Sequence, residues 1–179
     1  MDLWFDTDPG FDGWMAWALI EAEPSMRLHG VSVVAGNAPL NISLANALAI
    51  KALHGFAAPV HAGCDRPLAM APVTAQDVLG DMGMETTGPT LPGSAAPPTP
   101  GHGVQALIDC VRAHPGRITL LAVGPLTNVA TAFALAPELP ALLAGLVIMG
   151  GSTIGGNITA AAEFNIHADP EAAARVFDC

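Results

Sequence analysis

The chain has 179 residues, 51% of them hydrophobic, with sixteen acidic against six basic residues and a net charge of −10. That length and apolar content suffice for one compact α/β domain with a sizeable core, and residues 1–179 are read as one. The basic residues Arg27, Lys51, Arg66, Arg112, Arg117 and Arg175 are scattered, so no nucleic-acid partner is expected, and the acidic excess suits a divalent cation or a neutral substrate better than a polyphosphate.

Every apolar run is broken well before the roughly 18 residues that a membrane span requires, and the chain opens on Met1-Asp2 without a basic segment. A cytoplasmic protein with no membrane partner is therefore expected. Cys64, Cys110 and Cys179 are too far apart for a zinc pair and odd in number for a disulfide framework, so they read as small apolar residues.

In chain order, Asp2 to Asp6 (DLWFD) reads as a strand ending in acidic and turn residues. Asp12 to Ala22 follows with helical spacing and Trp14, Ala18 and Ile20 available for a buried face. Leu28 to Val34 is a β-branched strand closed by Ala35-Gly36-Asn37, Leu40 to Leu53 an Ala/Leu-rich helix, and Pro59 to Gly63 a short strand. From Ala69 to about Pro100, Pro, Gly, Thr and Met replace periodicity, which predicts a mobile loop over 69–100. Regularity returns with a helix over Val104 to His114, a strand over Ile118 to Ala122, a helix over Leu126 to Ala136 and a strand over Leu146 to Met149. A last helix runs from Asp169 to Phe177, with Pro170 in its first turn.

Strands alternating with helices predict an open, mostly parallel Rossmann-like sheet with helices on both faces. Ligands in such folds bind beyond the C-terminal ends of the strands, and that is where the polar residues cluster. Asp6, Asp8 and Asp12 follow the first strand, Asn37 the second, Thr127 and Asn128 the ITLLA strand, and Asn157, Glu163 and Asn165 the LVIM strand.

Three carboxylates within seven residues, bent by Pro9-Gly10, suit the oxygen-loving calcium or magnesium ion. Asp12 as a plain helix cap would account for one carboxylate but not three. A phosphatase-type Asp-x-Asp loop is a rival, weakened because the only lysine, Lys51, lies mid-helix. Asn and Glu side chains match the adjacent hydroxyls of a sugar without adding positive charge, so Asn37, Asn157, Glu163 and Asn165 are candidate ribose contacts. Taken alone, Asn157 reads as a turn residue. The Glu163-x-Asn165 spacing predicts an extended segment with both side chains on one face, and Asn128 reads as a helix-start residue bonded to nearby backbone. The glycines of 150–156 do not have dinucleotide-turn spacing, and the six histidines show no metal-ligand spacing.

The segment Asp6-Thr7-Asp8-Pro9-Gly10-Phe11-Asp12 resembles the opening signature of the inosine/uridine-type nucleoside hydrolases. Val34-Ala35-Gly36-Asn37, Gly124-Pro125-Leu126-Thr127-Asn128, Met149-Gly150-Gly151 and Glu163-Phe164-Asn165 resemble that family's later landmarks in the same order. The resemblance implies calcium-dependent hydrolysis of the bond between ribose and nucleobase through an oxocarbenium-like transition state. It implies Asp8 as metal ligand and general base, Asp12 as a metal residue that also holds a ribose hydroxyl, and the Val123 carbonyl as a further metal ligand. A ribonucleoside substrate and a homo-oligomer, dimer or tetramer, are implied as well; an incomplete sheet with an exposed edge would favour self-association in any case.

Two departures from the family pattern bear on activity. The family has a second aspartate, a principal calcium ligand, where this chain has Gly13, and it extends well over a hundred residues past the position of Cys179. The chain is thus expected to be impaired or inactive by itself, either as a fragment of a working hydrolase or as a non-catalytic ribose-binding protein. Leu79-Gly80-Asp81 stands where many relatives have His-Gly, so a different base contact is expected there.

Overall fold

A computed structural model describes residues 1–84, 90–94 and 96–179. Strands and helices alternate as the hydrophobic periodicity demands: β1 (Asp2–Thr7), α1 (Phe11–Ala22), β2 (Arg27–Val33), α2 (Leu40–His54) and β3 (Val60–Ala62) form the first run. After the two helices α3 (Gln76–Leu79) and α4 (Gly103–Ala113) come β4 (Ile118–Ala122), α5 (Thr127–Leu135), α6 (Leu139–Leu142), β5 (Gly145–Ile148), α7 (Phe164–Ala168) and α8 (Pro170–Phe177).

The five strands form one sheet in the order β3-β2-β1-β4-β5, with every neighbouring pair parallel. From β1 the chain winds outward to β3 and then returns to β4 on the opposite side of β1. The β1/β4 boundary is therefore the place where strand order reverses, which opens a crevice above the strand ends.

Alternation along β1 sorts the core into two layers. Leu3 and Phe5 pack with Val31, Val33 and Val60 under Trp17 and Ile20 of α1 and Ile50 of α2. Trp4, one residue out of phase, joins Ile118 and Leu120 on the other face beneath Leu107 of α4, Val129 of α5 and Val176 of α8. Helices thus cover both faces, as expected of a parallel sheet.

Several expectations change at the level of individual faces. The buried stripe of α1 is Gly13, Trp17 and Ile20; Trp14 is only half-buried, stacked on Phe11 and donating through Nε1 to Nε2 of His54. Within the stretch 69–100, the short α3 interrupts an otherwise irregular path, and residues 85–89 and 95 lie outside the described residues. Among the described residues, no helix is long and apolar enough to cross a membrane.

Candidate active site

Above the C-terminal ends of β1 and β4, a cavity of about 370 Å³ is bordered by Asp8, Asp12, Asn37, Val123, Asn157, Glu163 and Asn165. The fold therefore brings all seven expected site residues to one concavity, whose volume lies within the ~300–1,000 Å³ of ordinary ligand sites. Asp77 and Val78 of α3 also border it. Sequence periodicity could not reveal them, because α3 is one turn of helix inside a Pro/Gly-rich stretch.

Asp8 anchors the arrangement. Its Oδ2 accepts the Asn37 backbone N–H at 2.7 Å, and Asn37 Nδ2 donates back to the Asp8 carbonyl at 2.8 Å. The chain turns so closely around this carboxylate that a Cβ on Gly36 would lie 2.1 Å from Oδ2, and one on Gly124 would lie 2.8 Å from Oδ1. Burial pushes the Asp8 carboxyl well above its ordinary range, and the neighbouring charges of Asp12 and Asp6 act in the same direction, against the Asn37 hydrogen bond. Among the described residues, neither lysine nor arginine borders the cavity to offset that charge.

Asp12 occupies the exposed first turn of α1. It is not the helix cap; Gly10 holds that position and makes no side-chain capping bond. The Asp12 carboxylate is therefore left to the cavity, where the positive end of the helix dipole favours it.

Asp6 departs from the expected loop cluster. It belongs to β1, is fully buried, and accepts from Ser32 Oγ and, at 2.8 Å, from Asn128 Nδ2. Asn128 Oδ1 in turn accepts the Cys64 backbone N–H at 2.8 Å, and Trp4 Nε1 donates to Ser32 Oγ at 2.9 Å. Asn128 therefore bridges distant strands instead of bonding nearby backbone. This network sits beneath Asp8 and fixes the strand ends that carry it.

Glu163 and Asn165 also adopt an unexpected geometry. Glu163 caps α7, with Oε1 accepting from Asn165 N at 2.9 Å and Oε2 accepting from Gly151 N at 2.9 Å and Ile166 N at 3.3 Å. The segment is a helix start and not an extended strand, because a capping carboxylate satisfies otherwise orphaned N–H groups. Asn165 Nδ2 donates to the carbonyls of Val123 and Met149, both at 3.0 Å, tying together the ends of β4 and β5. Asn157 Oδ1 accepts from Phe164 N at 2.8 Å, which holds the preceding Gly-rich loop against α7.

The chemistry of these donors fits a hard divalent cation: a buried carboxylate without a cationic partner, a second carboxylate at Asp12, and the Val123 carbonyl, which keeps a lone pair beyond the one given to Asn165. Gly13 supplies no further oxygen. A Cβ there would stand 2.8 Å from Thr7 Oγ1, itself buried without a hydrogen-bond partner among the described residues.

The family description "inosine-uridine preferring nucleoside hydrolase" matches residues 3–179. The chain is 38% identical to the pyrimidine-specific ribonucleoside hydrolase RihB of Escherichia coli over 172 residues, 96% of this chain and 54% of RihB. Superposition on a plant nucleoside hydrolase gives a TM-score of 0.91 at 33% identity, covering 98% of this chain and 56% of that one. The purine-preferring ribonucleoside hydrolase of Gardnerella vaginalis gives 0.91 at 31%, covering 99% and 57%. The chain thus spans about half the length of the relatives it matches. Over nearly all of its own length, in strand order as in signature residues, it belongs to the inosine-uridine preferring nucleoside hydrolase family.

Proposed function

We propose that the chain carries the metal- and ribose-binding side of a calcium-dependent hydrolase that splits ribonucleosides into ribose and free base. The observation that supports this most strongly is the Asp8 carboxylate, buried at the strand switch point and clamped by Asn37 beside the negative charges of Asp12 and Asp6.

Asp8, Asp12 and the Val123 carbonyl would hold the cation. When bound, such a cation lowers the pKa of water and makes a nucleophile available near neutral pH. Asp8 would serve as the base that takes a proton from the attacking water, since its raised carboxyl pKa brings it closer to the range of a working base. Asp12 accepts from a ribose hydroxyl. Asn37 and Asn165 spend Nδ2 on the backbone and keep Oδ1 for the sugar, while Glu163 and Asn157 hold the α7 wall in position. The absence of positive side chains from the lining, among the described residues, spares a developing oxocarbenium ion like-charge repulsion there.

Gly13 favours weak calcium affinity, so we propose that the chain by itself hydrolyses nucleosides poorly and retains ribose binding. The outermost strand β5, with Val147 52% exposed, supports self-association. Release of free base from inosine and uridine in calcium buffer, measured for the chain and for Asp8→Asn, tests the reading. Slow release that Asp8→Asn abolishes supports it. Release that Asp8→Asn leaves unchanged overturns it. Ribose binding without any release favours the purely binding protein.

A further inference from the structure

On the opposite edge of the sheet from the Asp8 cavity, ligand atoms of His29, Cys110 and His114 lie within 4.8 Å of one another, all three residues half-buried. They come from separate parts of the chain. Cys110 and His114 are one turn apart at the C-terminal end of α4, and His29 projects from β2. His29 is the residue skipped in the β1/β2 ladder, where Leu3 pairs with Leu28 and Trp4 with Gly30. Such a bulge re-aims the side chain it carries, and here the ring of His29 meets that of His114 edge-on at 4.7 Å.

Each imidazole is already oriented by an oxygen acceptor. His29 Nε2 is 2.7 Å from Asp2 Oδ1, and His114 Nδ1 is 3.0 Å from the Cys110 carbonyl. With those nitrogens carrying the protons, Nδ1 of His29 and Nε2 of His114 present lone pairs. A carboxylate or carbonyl behind each imidazole is the usual outer arrangement of metal-binding histidines.

From this arrangement we infer a binding site for a borderline-soft divalent cation, zinc foremost, with His29, Cys110 and His114 as ligands and Asp2 steadying His29. Two imidazoles and a thiolate are the ligand types that zinc selects, and they exclude calcium and magnesium, which take oxygen. In a tetrahedral site with ordinary zinc bond lengths, ligands stand about 3.3–3.8 Å apart.

The Cys110 thiol proton leaves to solvent as the sulfur binds, and the neutral imidazoles give up none. Charge suits a cation as well: Asp2 bonds His29 with its side chain 15% exposed, and Arg117, which donates to its other oxygen at 2.8 Å, is 63% exposed and able to swing away. The site would staple the start of β1 and the β2 bulge to the end of α4. It makes no use of the Asp8 cavity, so its fate is independent of the hydrolase reading.

Cobalt(II) titration of the full chain in calcium buffer tests it. The expected result is one equivalent bound, with thiolate-to-cobalt charge-transfer absorption that disappears in Cys110→Ser and persists in Cys64→Ser and Cys179→Ser. Zinc should displace the cobalt, and Asp2→Asn should weaken zinc binding roughly 10- to 100-fold. Absence of the band, its survival in Cys110→Ser, or its loss in Cys179→Ser overturns the inference. Should Cys110→Ser fail to fold, alkylation of the wild-type chain mapped by mass spectrometry decides. Zinc protection at Cys110 supports the site, and alkylation there unchanged by zinc overturns it.

Discussion

Asn37 and Asp8 clasp each other twice, through the Asn37 backbone N–H on Oδ2 at 2.7 Å and the Asn37 amide on the Asp8 carbonyl at 2.8 Å. The clasp closes only because residue 36 lacks a side chain; a Cβ there would stand 2.1 Å from Oδ2 and 2.8 Å from Pro125 Cδ. Gly36→Ala should therefore expel the carboxylate, costing about 1–3 kcal/mol of stability and any calcium affinity. Urea unfolding together with calcium titration checks this. An alanine variant as stable as wild type would show that the turn opens without penalty.

Gly13 is a second close approach, where a Cβ would stand 2.8 Å from Thr7 Oγ1 and the hydroxyl must turn away to admit it. It lies in the buried stripe of α1 beside Thr7 Oγ1, which lacks a partner. Once Thr7 Oγ1 gives way, Gly13→Asp adds a carboxylate next to Asp12 in the first turn of α1 and improves both helix propensity and the charge at the helix start. Calcium should then bind more tightly, by roughly tenfold or more, as ligand charge count rises. A calorimetric titration of the variant that matches wild type would remove Gly13 as the cause of weak affinity.

Stability without calcium should depend on pH through the buried carboxylates. Burial pushes Asp6 up to about 7 from 3.8, only partly opposed by hydrogen bonds from Ser32 and Asn128, and Asp8 shifts the same way. Below pH 3.8 the folded and unfolded states both hold the Asp6 proton, so the group contributes no difference. As pH rises toward 7 the unfolded chain releases its proton first, so stability falls across that window and stays lower above it. Urea midpoints in chelator should decline between about pH 4 and about pH 7 and level off above it, and Asp6→Asn should flatten the decline. Midpoints that rise over the same range would mean that Asp6 is ionised in the folded chain.

Asp169 joins three elements. It caps α8 by accepting from Ala172 N at 3.0 Å, and it also accepts from Thr127 Oγ1 at 2.6 Å and Leu68 N at 2.9 Å, all while fully buried. Asp169→Ala leaves three donors unpaired and should cost at least about 2–3 kcal/mol, read as a lowered unfolding midpoint. A loss below about 1 kcal/mol would mean that water replaces the carboxylate.

The sheet was legible in the sequence wherever β-branched runs ended at Gly, Asn or Asp, and β4 begins and ends where ITLLA does. The site was legible as a set of residue types at strand ends, because a parallel sheet delivers those ends to one edge. What local spacing could not carry was the direction of each side chain. Asp6 turns inward because its partner Asn128 lies 122 residues away, and Glu163 becomes a cap because Gly151 and two α7 amides converge on it. Cys110-x-x-x-His114 is a helical ligand spacing that could have been noticed, but His29 joins it only through a bulge that has no sequence signature.

Calorimetric titration of calcium into the chain, with and without ribose, and into Asp8→Asn bears hardest on the proposed site. One calcium per chain, bound more tightly when ribose is present and not at all by Asp8→Asn, is the predicted result. Calcium binding that neither ribose nor the Asp8 substitution alters would contradict it.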